Sequence, residues 1–209
     1  MTPHPRAWPE RRRLLLAFAL LPAGCASSPP HRFYRLLLEA PGKAGPGGQV
    51  LPPLWELATS LPLPEYLERD TLMVADGDLR LVLLAGDRWA EPLRDSLPRI
   101  LRHDLATLRG ADRVWAAPTP PGVAIDRVLQ MSLSALHADV QRHELVLDAT
   151  WQLLDPHSLL PPLQGRIALQ VPLADATASA IVAAHRQALW QLAQRLDGLD
   201  GQASAPGGP

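Results

Sequence analysis

"ELVLDATWQLL", residues 144–154, places Leu145, Leu147, Ala149, Trp151 and Leu153 at every second position. A period of two marks a strand with one buried face and one wet face. Upstream, residues 125–136 have the length and apolar content of a partner strand. The polar stretch 137–143 between them reads as the turn of a long antiparallel pair. Residues 163–171 read as one more strand beside this pair. Asp76-Gly77 lies between the apolar runs 71–74 and 79–84, a strong hairpin signal because such turns need positive φ.

The remaining segments predict two helices and two weaker strands. Leu93, Leu97, Ile100, Leu101, Leu105 and Leu108 recur at three and four, one apolar face. Asp87 is the expected N-cap of this helix, Glu91 favours its dipole, and Gly110 ends it. Pro98 is expected to kink or split it, because an interior proline costs about 3 kcal/mol. The second helix carries Ile181, Val182, His185, Ala188, Leu189, Leu192 and Leu196 on one stripe, with Asp175 as the expected cap. Residues 33–38 read as a first strand. Residues 49–57 read as an edge or interrupted strand, weakened by Pro52-Pro53. Pro64 opens a short helical turn. The order of strands, helix, strands and helix predicts an α+β two-layer sandwich, a mostly antiparallel sheet with two amphipathic helices on one face.

The amino-terminal stretch has a different character. Arg11-Arg12-Arg13 precede the apolar run 14–21 and a small-residue step, the pattern of an export signal. The run is shorter than the roughly 20 residues needed to span a bilayer. Residues 1–24 are therefore expected to be a signal peptide, 25–32 a short tether, 33–197 a single domain and 198–209 a disordered tail. Cys25 is the only cysteine in 209 residues, so no disulfide forms within the chain and the fold must rest on its core. Without residues 1–24 the chain carries 16 basic against 20 acidic side chains, a balance of −4. No basic face is available for nucleic acid.

Catalytic and metal-binding patterns are not found. His103, His137, His143, His157 and His185 show no helical i, i+4 pair of the zinc type, and His31 lies in the tether. The sequence has no Gly-x-Ser-x-Gly elbow and no glycine-rich phosphate loop. Asp87, Glu91, Asp95 and Asp104 read as a solvated helix face, and His185 as a hydrogen-bonded core histidine. No catalytic residue, cofactor or metal is expected. Trp89, Trp151 and Trp190 fall in periodic elements and are expected in the core. Trp55 and Trp115 lie in Pro-flanked or edge segments and are the candidate partner contacts.

Two resemblances follow from specific residues. Cys25 after Ala23-Gly24 resembles the lipobox of bacterial lipoproteins. That resemblance implies cleavage before Cys25 and an anchor of three acyl chains such as palmitate. Ala26 in place of Asp implies the periplasmic face of the outer membrane. The segments "RFYRL", "LPEYLERDTLMV", "DRWAEPLRDSLPRIL" and "LVLDATWQLLD", in that order, resemble the ABC-type transport auxiliary lipoproteins of the paraquat-inducible protein C family. This second resemblance implies a non-enzymatic role beside an MCE-domain protein (mammalian cell entry) that moves lipids between membranes and supports envelope integrity. A homo-oligomeric collar is also implied. The alternatives are an assembly factor or chaperone for an outer-membrane barrel, and an envelope hydrolase. Direct lipid carriage would require an apolar groove, as between helices and sheet.

Overall fold

The structure is a computed structural model that describes residues 30–43 and 51–199. The expected signal peptide, Cys25 and most of the expected tail lie outside the described residues.

An eight-stranded mixed sheet is built around the hairpin of β6 (Arg127–Asp139) and β7 (Glu144–Leu154). Their antiparallel register runs from Val128↔Leu154 to Asp139↔Glu144, with an irregularity between Leu133 and Ala135. β6 thus extends through His137, and the turn is confined to residues 140–143. β8 (Leu163–Pro172) continues the antiparallel order on the far side of β7. The period-two reading of β7 holds, since Leu145, Leu147, Ala149 and Leu153 are fully buried and Trp151 nearly so.

The other edge of β6 is shared by two short strands in parallel. β2 (Trp55–Leu57) pairs Trp55↔Arg127, and β3 (Thr71–Ala75) pairs Val74↔Ala138. β3 forms the expected hairpin with β4 (Leu81–Trp89), and Gly77 takes φ +78 in its turn. β1 (Arg32–Tyr34) runs parallel to the end of β4, and β5 (Val114–Ala116) runs parallel to β2. The antiparallel expectation therefore holds for the long ladders. Strands joined through crossovers pair in parallel, and β1 is three residues rather than six.

Two helices complete the second layer. α1 (Leu93–Arg109) and α2 (Ala178–Asp197) pack on each other, and α2 lies on β6, β7 and β8. The core between the layers includes Leu97, Ile100, Leu101 and Leu105 from α1 and Ile181, Ala188, Leu189, Leu192 and Leu196 from α2. Trp89 and Trp190 are buried as expected.

Several local expectations are corrected. Asp87 does not cap α1. It lies in β4, where its carboxylate accepts two bonds from Arg32, and the helix starts after Pro92. Proline at a helix start leaves nothing unsatisfied, because the first N–H groups have no partner inside the helix. Asp175 does not cap α2 either. Thr177 is the cap, accepting from the Ala180 amide, while Asp175 accepts from the Thr177 amide. Pro98 does not split α1, which runs unbroken from Leu93 to Arg109. The fold also extends past residue 197, because Leu199 is buried.

Candidate functional site

The first feature is a strap of backbone laid over the helices. Residues 36–43 follow β1 and have no sheet partner. Three of their carbonyls are bound by one side chain. The Arg186 guanidinium on α2 donates to the carbonyls of Leu37 at 2.7 Å, Glu39 at 3.1 Å and Leu38 at 3.2 Å. Its other face donates to the Asp104 carboxylate on α1, at 2.8 and 2.6 Å. Five donors in a rigid fork suit arginine to this work. Burial pushes the Asp104 carboxyl above its ordinary value, and the guanidinium beside it pulls the other way. Further along the strap, Gly42 lies flat on Trp190. A Cβ at residue 42 would stand 2.7 Å from the indole Nε1.

Asp104 therefore leaves the solvated face assigned to it, since it is 0% exposed. A signal for this exists in the sequence. Asp104 falls three and four residues after Leu101 and Ile100, on the apolar stripe itself, and Arg186 follows His185 on the stripe of α2. Opposite charges on two stripes that face each other are the pattern that was missed.

The second feature is the outer face of the sheet. Two cross-strand rows, Gln130–Gln152–Gln164 and Ser132–Thr150–Arg166, line an open groove of about 830 Å³. Ser132 and Thr150 share a hydrogen bond of 2.8 Å, and Arg166 is bonded to Asp148. The arginine holds the Asp148 carboxyl below its usual range. The groove is lined by polar and apolar residues alike, Met131, Trp151 and Pro62 among the latter, and its one charged side chain, Arg166, is paired. Clefts lie at the rim where α1 meets β2 and β5, about 270 Å³, and where α2 starts beside β1 and β4, about 440 Å³, whereas the two cavities within the core are about 10 Å³ each, one beside Tyr66, Leu72 and His185 and one beside Leu61 and Leu101. Each of these two cavities has room for one water molecule at most.

The candidate partner contacts separate. Trp55 is 0% exposed, because β2 lies between β5 and β6 and the Arg109 guanidinium covers the ring at 3.9 Å from its centroid. It is a core residue, not a surface contact. Trp115, on the edge strand β5, is half-buried and donates its Nε1–H to the Asp112 carbonyl at 3.1 Å. Cys25 lies outside the described residues. His185 sits in the core, its Nδ1 2.8 Å from the Ile181 carbonyl and its ring edge-on to Trp89. Burial lowers its pKa to about 4. His137 lies on β6 facing Tyr66, and His143 sits in the β6–β7 turn at φ +54. Among the described residues no group of three or more His, Cys, Asp or Glu is placed to hold a metal ion, and no helix is long and apolar enough to cross a membrane.

This strapped two-layer α+β domain defines a fold class with solved relatives. Protein XCC0632 from Xanthomonas campestris, of the DUF330 family, superposes with a TM-score of 0.66 at 16% identity, over 82% of this chain and 97% of its own. An uncharacterized protein of known crystal structure superposes with a TM-score of 0.64 at 17% identity, over 82% and 99%. At such identities the likeness is one of fold. Comparison with curated proteins gives no match. The family model for the ABC-type transport auxiliary lipoprotein component matches residues 37–196, and the chain belongs to that family.

Proposed function

We propose that the protein is a periplasmic lipoprotein anchored by acyl chains on Cys25 to the outer membrane, and that it acts there as a non-enzymatic docking subunit of an MCE-type intermembrane lipid transport system. The match to the auxiliary component over residues 37–196, behind a signal-like segment and a lone cysteine, is the observation that carries this reading. The two cavities within the core, about 10 Å³ each, favour docking over carriage of lipid inside the core, since an acyl chain needs far more room. In the same reading the copies assemble as a homo-oligomer around the partner.

The test is affinity capture of the membrane-extracted protein from its native envelope, beside the Cys25→Ala form, with mass spectrometry of both preparations. The expected result is an MCE-domain protein with the acylated form, reduced or lost with the unanchored one. Recovery of barrel proteins instead would replace the docking reading with that of an assembly factor.

A further inference from the structure

The turn of the β3–β4 hairpin, residues 76–80, carries one apolar side chain, Leu79, that nothing among the described residues covers. Leu79, in the turn, is 101% exposed, and Leu83 and Val82 follow it at 50% and 38%. Leu83 stands opposite Met73 and Val82 opposite Val74 in the hairpin register, so the strand behind Leu79 carries an exposed apolar side chain on each face. Exposed apolar side chains mark a surface with a use when they stand together.

The charges around the tip are already spent on one another. Arg80 pairs with Asp76, and Arg142 bridges Asp78 at 2.6 Å and Asp139 at 3.0 Å. Gln141 ties the adjacent β6–β7 turn to Asp76 at 2.6 Å. The tip is thus held by the neighbouring turn and offers no block of negative charge to an anionic surface.

Chain direction supplies the second argument. β1 runs parallel to β4, with Arg32 opposite Asp87 and Tyr34 opposite Trp89. β4 runs away from the hairpin turn, so β1 enters the sheet from the side of that turn. Leu81, the first residue of β4, is six residues from Asp87, a rise of about 20 Å. The seven residues 26–32 reach at most about 23 Å when extended. An anchor at Cys25 therefore confines the bilayer to the distance over which the hairpin tip projects.

We propose that the β3–β4 hairpin tip, through Leu79, Val82 and Leu83, is a lipid-contacting surface that seats the domain on the bilayer beside its anchor. The proposal rests on the anchor reading above. Two points of contact, acyl chains and hairpin, fix the tilt of the domain, whereas a single flexible point leaves it free. The β7–β8 loop, with Leu159 82% exposed, then faces away from the membrane, since β7 carries it about 34 Å from the β6–β7 turn.

The acylated mature protein is reconstituted into phosphatidylethanolamine–phosphatidylglycerol vesicles as Leu79→Cys and, separately, Leu159→Cys. Acylation blocks Cys25, so each variant takes one environment-sensitive fluorophore. Both positions are solvent-exposed, and circular dichroism verifies the fold. The expected result is a blue-shifted label at residue 79 that doxyl-lipid quenches, with neither change at residue 159. A vesicle-bound protein whose label at 79 stays unquenched overturns the hairpin contact and leaves the anchor standing, as does quenching at 159 alone. A protein with unmodified Cys25 that fails to bind vesicles overturns the anchor reading and this proposal together.

Discussion

Arg186 on α2 and Asp104 on α1 form a buried bidentate ion pair, and the same guanidinium holds the carbonyls of Leu37, Leu38 and Glu39. One side chain thereby joins both helices to the segment that leads in from β1.

Removing one partner of this pair leaves the other charged and buried. Asp104→Asn or Arg186→Met is expected to cost about 3–5 kcal/mol in urea unfolding. The double variant Asp104→Leu/Arg186→Met is expected to regain most of that loss, because well-packed apolar residues often replace a buried ion pair without penalty. Strap order separates the roles. Both Arg186 variants, including the stable double one, are expected to lose amide protection over residues 37–42 in hydrogen exchange, whereas Asp104→Asn retains it.

His185 makes stability depend on pH in a defined window. Its pKa is about 4 in the fold, against about 6.5 in an unfolded chain. Between these values the unfolded state binds the extra proton, so stability is complete above pH 6.5 and falls as pH drops toward 4. The total is about 3 kcal/mol. His137, also lowered by burial, adds a contribution of the same sign. Urea midpoints taken from pH 7.5 to 4 are expected to decline in the wild type and to decline less in His185→Gln.

Gly165 is the position on β8 that accommodates Trp151. The two residues are direct register partners, and a Cβ at 165 would stand 2.9 Å from the indole Cζ2. Gly165→Ala forces the ring aside and is expected to cost about 1–3 kcal/mol. The same change at its exposed neighbour, Gln164→Ala, is expected to stay within about 0.5 kcal/mol. Thermal melts of the two variants side by side test the contrast.

Local pattern determined the parts of this protein that depend on neighbours in the chain. The alternation from Leu145 to Leu153 is a strand in any context that buries one face, Asp76-Gly77 turns a hairpin through its own φ, and the stripes of both helices define their buried sides. The signature segments likewise sufficed for the family. Tertiary structure decided what depends on residues far apart. It drew Asp87 into β4 beside Arg32, 55 positions away, and buried Trp55 beneath Arg109 between β5 and β6. It also joined Asp104 to Arg186 across 82 positions. Periodicity reports only whether a face is buried. Which distant group covers that face, and whether it brings a compensating charge, is settled by crossover topology, because a carboxylate can leave water only where a partner arrives to meet it.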